Sequence, residues 1–558
     1  MTLRNSNPIL VNHGMFIPTI VGQGTPDQQA KWLARASNFQ IIGTYAQTEL
    51  GHGTNVRGLE TTATYDPSTE EFVLNTPTLS AYKWWPAGLG HTVNHAILVA
   101  QLEANGKRYG VHTFVVQLRD EETHMPLPGV TIGEIGPKLG MNGTNQGFLA
   151  LAKVRIPRAN MLMRHSQVLP DGTYVSSPNR ALTYNAMLFV RLLIIYQSAW
   201  YLKRAVTIVT RYSAVRRQGG AKRGVELQIM DYRTQQQKIF PYIATCFAFQ
   251  YVGDWLWNVY NEVNAELDTG KLENLPELHS LSCVFKAITS ADAAAGIEIC
   301  RLACGGHGYM QASNLPILYG LATAMVTYEG ENTVLLLQTA RYLIKVWQSG
   351  NLSRIPSVNY LNTALQTKRP FERSVEWIIF ALRRAFTSLI TRADQGLRDR
   401  MASGQTKEDA WNNTSIDLVE AADHYGRSFI VEAFHERVGK LSVSAALKSV
   451  LNQLDELYAV STALKLKGSL LRFADISERH LITLQAWLED LLAVIRPNAV
   501  GIVDSFDIRD EILASALGSY DGNVYERLYT EARKSMLNSE PVNESFHLYL
   551  KPFMRSNL

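Results

Sequence analysis

The chain has 558 residues, 46% hydrophobic, 19% charged and 9% aromatic, which is enough apolar material for about three or four cores and excludes a disordered chain. Its 54 lysines and arginines against 50 aspartates and glutamates leave a net charge of +4, too slight over this length to mark a nucleic-acid partner. Four cysteines exclude a disulfide framework, and no run of ~20 apolar residues offers a membrane span.

In chain order, Thr25-Pro26-Asp27-Gln28 supplies a cap and a proline at the first turn, predicting a helix through Arg35 within a helical first segment, residues 1–43. Residues 44–170 are rich in threonine, valine and glycine, with alternating runs at Glu71–Asn75, His95–Leu102 and Tyr109–Leu118. Asn105-Gly106, between the last two runs, suits a tight hairpin. An antiparallel β-domain is predicted. From Met187 to Gln218 neither glycine nor proline interrupts an apolar spacing of three and four residues, predicting one long helix. Gln228–Asn264, Pro276–Ala303 and Asn332–Gln348 complete a helical bundle over 171–350. A linker, 351–369, leads to predicted helices at Phe371–Asp399, Thr406–Val438, Ser442–Arg472 and Glu478–Arg496 in a second helical domain, 370–558. Cys300 and Cys304 read as buried small side chains, because no second Cys/His pair stands at zinc spacing, and no metal site is assigned.

Three glycine-bearing clusters could carry chemistry. Thr44–Thr54 and Lys83-Trp84-Trp85-Pro86-Ala87-Gly88-Leu89-Gly90 each combine polar or aromatic side chains with bare backbone, and taken alone the first reads as a loop that turns the chain and the second as core packing before either reads as a site. The third runs from Cys304-Gly305-Gly306-His307-Gly308-Tyr309 to Thr327-Tyr328-Glu329-Gly330-Glu331-Asn332-Thr333, just before an apolar helix. Neither part matches Gly-x-Gly-x-x-Gly after a strand, which disfavours a Rossmann nucleotide site. Glu331 is placed to complement the helix dipole. Glu329 is better placed to face an apolar cleft, where desolvation raises a carboxyl towards the working range of a base.

With these clusters, Arg57–Asp66, Ile135-Gly136-Pro137-Lys138, Tyr212–Arg216, Tyr328–Arg341 and Tyr520–Tyr525 appear in the order of one family: the chain resembles the peroxisomal acyl-coenzyme A oxidases of the acyl-CoA dehydrogenase superfamily. The resemblance implies an α+β fold of acyl-CoA dehydrogenase type, an antiparallel β-barrel or sandwich followed by a helical bundle and a C-terminal helical domain. It implies FAD as cofactor, a fatty acyl-CoA as substrate and O₂ as electron acceptor, giving trans-2-enoyl-CoA and hydrogen peroxide. Glu329 matches the base. Tyr45, Ala46, Gln47, Thr48, Gly53 and Thr54 match one flavin loop, and Trp85, Ala87 and Gly88 a second, with alanine at 87 where the family commonly has glycine. Arg216 matches the arginine at the FAD pyrophosphate, Gln236 and Gln237 a helix touching FAD, and Gly305 and Gly306 a segment approaching the cofactor of a second subunit. Thr183, Tyr184 and Arg191 match substrate contacts.

The family implies a homodimer, or a heterodimer with a paralogue. Ser556-Asn557-Leu558 differs at one position from the Ser-Lys-Leu address read by the peroxisomal import receptor, so a peroxisomal location is expected. Family members carry a full helical domain before the Met15-Phe16-Ile17-Pro18-Thr19 segment, and most of it is expected to be missing here. Two other readings are a dehydrogenase that hands electrons to an electron-transfer flavoprotein, and a shortened, non-catalytic member that binds acyl-CoA or heterodimerises.

Overall fold

The computed structural model describes residues 6–176, 185–222, 224–268, 271–350, 357–362 and 364–556. Two short helices come first, α1 (Ile17–Gln23) and α2 (Pro26–Ser37). The start of α2 follows from its sequence: Thr25 Oγ1 accepts from the Gln28 amide while the Gln28 side chain accepts from the Thr25 amide, closing a capping box. This segment is fastened to the first strand by Asn12, which accepts from the Gly43 N–H at 2.8 Å and donates to the Ala36 carbonyl at 3.1 Å. The Phe16 ring occupies the space that a Cβ on Gly43 would need.

Strands β1 (Gly43–Ala46), β2 (Thr62–Asp66), β3 (Glu71–Asn75), β4 (Lys83–Trp84), β5 (His95–Ala104), β6 (Lys107–Gln117), β7 (Val130–Glu134), β8 (Gly147–Leu151) and β9 (Val154–Pro157) follow. One sheet has the order β1-β5-β2-β3-β9, with β6 also paired to β5, and the other is β4-β8-β7. Phe72, Leu98, Phe114 and Leu149 belong to the core of this β-domain. The β5–β6 hairpin turns at Asn105 and Gly106, with φ of 47° and 72°. The sheet is not wholly antiparallel, however. Both β1 and β2 run parallel to β5, Gly43 opposite His95 and Thr62 opposite Gln101. Nearly every residue of β5 is buried, as strands with parallel neighbours usually are, and such non-local pairing leaves no mark on local alternation.

The first helical bundle comprises α3 (Asn185–Val215), α4 (Arg233–Asp268), α5 (Leu275–Ala303), α6 (Gly306–Tyr309), α7 (Leu315–Met325) and α8 (Asn332–Ser349). The long helix ends three residues before the expected Gln218, and α4 starts five after the expected Gln228. Between them Arg217–Lys222 pairs antiparallel with Val225–Gln228, and Gly219 and Gly224 take positive φ in this hairpin.

The second helical domain has α9 (Val375–Ala402), α10 (Lys407–Lys440), α11 (Ala445–Lys465), α12 (Lys467–Phe473) and α13 (Glu478–Ile495). Ser374, Thr406 and Ser444 cap α9, α10 and α11 through their hydroxyls. The helix expected over 442–472 breaks at Leu466. Gly426 lets α10 lie close against Val284 and Ile288 of α5, where Arg427 and Lys465 both bond Asp292, at 2.6 and 2.7 Å. All four cysteines are free and buried. Among the described residues no helix is long and apolar enough to cross a membrane.

Gly43→Ala should overpack the Phe16 contact and cost about 1–3 kcal/mol. The first thermal transition should fall and the segment before β1 should become more susceptible to limited proteolysis; unchanged melting and cleavage would contradict this packing.

Candidate active site

The turn between α7 and α8 carries both glutamates singled out from the sequence, and their backbones separate them. Glu331 is the N-cap of α8, its carboxylate accepting from the amides of Thr333 at 2.9 Å and Val334 at 3.2 Å. Glu329 has left-handed backbone, φ 57°, and is followed by Gly330 at φ 105°. A Cβ on Gly330 would stand 2.5 Å from the Leu335 side chain, so this position needs glycine twice over, for its φ and for the space. Burial pushes the Glu329 carboxyl above the usual carboxylate range, although Arg191 and Lys286 pull it the other way.

Two buried cations hold this turn by its main chain. Arg191, on α3, donates from Nε to the carbonyl of Glu329 at 3.1 Å. Lys286, on α5, donates to the carbonyl of Gly330 at 2.7 Å and to Asn332 Oδ1 at 3.0 Å. Asn332 in turn donates to the carbonyl of Ala287 and to Ser290 Oγ, both at 3.0 Å. Arg191 also points Nη1 at His279 Nδ1 and Cys283 Sγ, each at 3.4 Å. Burial, followed by the Arg191 charge, pushes His279 down to about 4, so its ring is neutral and accepts from the guanidinium. The same two causes push Lys286 down to about 7, against the pull of Glu329 and Glu331.

The two loops of the β-domain lie side by side. Trp84 N–H donates to the Thr48 carbonyl at 2.9 Å, and Trp85 N–H to the Gly147 carbonyl at 3.1 Å. Tyr45 donates to Gln47 Oε1 at 3.3 Å. Trp85 is 51% exposed with φ 85°, presenting a bare indole; Ala87 is half-buried, and Gly53 and Thr54 are exposed. Gly88, at φ 76°, leaves room for the Pro8 carbonyl of the first segment, 3.0 Å from where a Cβ would stand. Beneath them Lys83, fully buried, donates to the carbonyls of Gln47 at 3.0 Å and Val99 at 2.8 Å and to Glu49 Oε1 at 2.9 Å. Burial pushes Lys83 down to about 8, with Glu49 opposing. Burial would push Glu49 up, but Lys83 and donors from Glu60 and Thr61 bring it below its ordinary value. Glu49, His52 and Glu60 also converge, but the Lys83 ammonium already takes Glu49, and the group reads as part of this buried ion pair.

A cavity of about 430 Å³ opens elsewhere on the bundle, lined by residues that include Arg216, Gln235, Lys238, Gly305, Gly306 and His307. It has two cations and the bare backbone of two glycines. Arg216 approaches the Tyr525 ring at 6.0 Å, and Tyr212 bonds His307 across 2.9 Å. Of the glutamines matched to a helix touching FAD, Gln236 is turned inward, donating to the Met230 carbonyl at 3.0 Å, and Gln237 is exposed. Neither lines the cavity; Gln235 does, bonded to Ser213 and the Ala303 carbonyl. Thr183 and Tyr184 lie outside the described residues. Arg191, read from the sequence with them as a substrate contact, is buried and bonded to the Glu329 turn. Sequence reasoning gave Lys83 no role beyond opening its cluster and did not single out Lys238, His279 or Lys286. Helical spacing could have supplied Lys238, three residues from Gln235 on the same face.

Comparison with known proteins decides the family. Residues 184–344 match the acyl-CoA oxidase C-alpha1 domain, 374–555 the acyl-CoA oxidase description, 1–42 the acyl-coenzyme A oxidase N-terminal description and 44–154 the acyl-CoA dehydrogenase middle domain. Acyl-coenzyme A oxidase 1 of Drosophila melanogaster is 52% identical over 100% of this chain and 84% of its own length. Peroxisomal acyl-coenzyme A oxidase 1 of Rattus norvegicus is 46% identical over 98% of this chain and 84% of its own. This chain belongs to the acyl-CoA oxidase family.

Solved oxidases agree with the fold. Arabidopsis thaliana acyl-CoA oxidase 1 superposes with a TM-score of 0.96 at 41% identity, covering 99% of this chain and 86% of that one. Caenorhabditis elegans acyl-CoA oxidase-2, described as bound with FAD, ascaroside-CoA and ATP, gives 0.95 at 41% identity, covering 99% and 83%. The expectation that most of the first helical domain is missing is not borne out. Residues 1–42 match the N-terminal description, and their helices are bonded into the oxidase β-domain through Asn12 and Phe16.

Lys83→Met should strand the buried Glu49 carboxylate and destabilise the oxidase by about 3–5 kcal/mol. Adding Glu49→Gln should recover most of that loss. Thermal unfolding of the single and double variants checks it, and equal losses in both would deny the ion pair its role.

Proposed function

We propose that Glu329 is the catalytic base of an FAD-dependent fatty acyl-CoA oxidase that forms trans-2-enoyl-CoA and hydrogen peroxide. The observation carrying this reading is the condition of that carboxylate. It is half-buried and raised, the main-chain carbonyls of Glu329 and Gly330 are tied down, and among the described residues no hydrogen bond or ion pair ends on the carboxylate itself. A thioester acidifies the carbon next to its carbonyl, and a carboxylate of raised pKa takes that proton efficiently where little water competes. FAD, when bound, supplies the acceptor for a hydride from the β-carbon and delivers the electrons to O₂.

The residues present suit that cofactor. Tyr45, Ala46, Gln47, Thr48, Gly53 and Thr54, with Trp85, Ala87 and Gly88, are the candidates for its ring system, offering backbone polar groups and the exposed Trp85 indole. Arg216 and Lys238 complement the charge of a diphosphate, and the open backbone at Gly305 and Gly306 permits its close approach. Every residue lining that cavity falls between 212 and 307, whereas both ring loops come from the β-domain. We infer a homodimer in which the cavity of one chain closes on the cofactor held by the loops of the other. The C. elegans relative named with FAD and ascaroside-CoA supports FAD and a CoA-linked substrate here, and the match of 374–555 to the oxidase description supports O₂ as acceptor over an electron-transfer flavoprotein. Mammalian relatives are named peroxisomal, and that is the location we assign. Lys551, Phe553 and Met554, just before Ser556-Asn557-Leu558, are exposed, which suits reading by an import receptor.

Anaerobic mixing with a medium-chain acyl-CoA should bleach the flavin absorbance, and air should restore it with release of peroxide. Glu329→Gln should keep the yellow colour and the ligand while losing turnover by about 10²–10⁴-fold; a variant as fast as wild type means that another group is the base. Because the carboxylate form acts, the wild-type rate should fall as pH drops through a pKa above the ordinary 4.5.

Arg216→Gln should weaken FAD retention without moving that pH limb. Losing one charge-assisted contact of about 1.5–3 kcal/mol corresponds to roughly 10- to 100-fold in affinity, read as flavin released on dilution. Undiminished retention would remove Arg216 from the cofactor site.

A further inference from the structure

Lys286 is a fully buried lysine on an otherwise apolar stretch of α5, and nothing in the proposed reaction uses it. Among the described residues it forms no ion pair. Its ammonium is spent on the carbonyl of Gly330 at 2.7 Å and on Asn332 Oδ1 at 3.0 Å, the two residues flanking the capping Glu331. Arg191 grips the carbonyl of Glu329 itself. Glu329 and Gly330 both have positive φ, and a left-handed glutamate costs of order 1–3 kcal/mol unless its surroundings impose it. Adjacent carbonyls held by cations from two different helices are such surroundings.

We propose that Lys286 is a positioning residue for Glu329: it fixes the turn that aims the carboxylate, and its unpaired charge biases that carboxylate towards the ionised form. The charged and titratable groups that face Lys286 are Arg191 from α3, Glu329 and Glu331 from the turn, and Cys283 on α5 itself, with neutral His279 behind Arg191. Arg191 holds one carbonyl and opposes protonation of Lys286; the two glutamates favour it. Below about pH 7 Lys286 is therefore mainly charged, the range in which the acid limb of a raised carboxylate is measured. The network closes behind the ammonium: Asn332, its second partner, also bonds Ser290 and the Ala287 carbonyl, so the start of α8 is stitched to α5 at the same place.

This inference rests on Glu329 being the base, and the experiment separates the two. Flavin-loaded Lys286→Gln, which keeps a donor for the Gly330 carbonyl and loses the charge, is compared with Lys286→Met, which loses both. Turnover of a medium-chain acyl-CoA is followed across pH 5–9, with Glu329→Gln as control. The acid limb of kcat should move up by about one pH unit in both variants. In Lys286→Met the plateau kcat should also fall by about 10- to 100-fold, because the turn is freed, with KM changed by less than about threefold. A limb that stays in place overturns the proposal, even if kcat falls, since lowered kcat alone is what a merely structural lysine would give. Failure of both variants to fold with flavin also overturns it, because Lys286 would then serve stability alone. An active Glu329→Gln instead removes the base reading; an inactive one with an unmoved limb in the lysine variants removes only this inference.

Discussion

A carboxylate that must take a proton from carbon needs two things that conflict. It must be out of water, which raises its pKa, and it must be held rigidly, which usually means pairing it with a cation that lowers its pKa again. The turn at Glu329, the base we propose, resolves this by placing the cations on the main chain. Arg191 and Lys286 bond the carbonyls of residues 329 and 330, leaving the side chain between them raised by burial and only partly offset by their charges. A direct ion pair to either group would have bought rigidity at the expense of basicity.

That arrangement requires α3, α5 and the α7–α8 turn to meet in fixed register, and the second helical domain helps to fix it. Six residues along α5 from Lys286, Asp292 is bonded by Arg427 of α10 and by Lys465 at the end of α11, while Gly426 brings α10 against Val284 and Ile288 on the same stretch of α5. A charged cluster of this kind contributes little net stability against an apolar replacement, but it tolerates only one alignment of the three helices. The C-terminal domain thus bears directly on the helix that carries Lys286.

Much of this was legible in the sequence where the signal is local. The capping box at Thr25 and Gln28, the Asn105-Gly106 hairpin and the different fates of Glu331 and Glu329 all follow from a few neighbouring residues. What failed was non-local or a matter of phase. The parallel pairing of β1 and β2 with β5 is invisible to alternation within one strand. The hairpin at 217–228 was lost because Arg217 and Gln218 continue the composition of the helix before Gly219 breaks it. Periodicity also did not single out Gln235, the glutamine that lines the cavity, one residue and so 100° around the helix from Gln236. Buried lysines were the hardest, since a lysine in an apolar run is ordinarily read as reaching for solvent.

The two buried lysines show how one device serves two purposes. Lys83 and Lys286 each bind the carbonyl of a loop that carries site residues, Gln47 in one case and Gly330 in the other. Lys83 is neutralised locally by Glu49 at 2.9 Å, so its field ends there and it acts as a fastening for the loop. Lys286 has no such partner among the described residues, only the amide oxygen of Asn332, and its charge is therefore felt by whatever lies beyond the carbonyl it holds. What lies beyond is Glu329. Leaving that lysine unpaired costs desolvation energy that an adjacent carboxylate would have offset, and among the described residues it is the lysine whose field reaches Glu329, the base we propose.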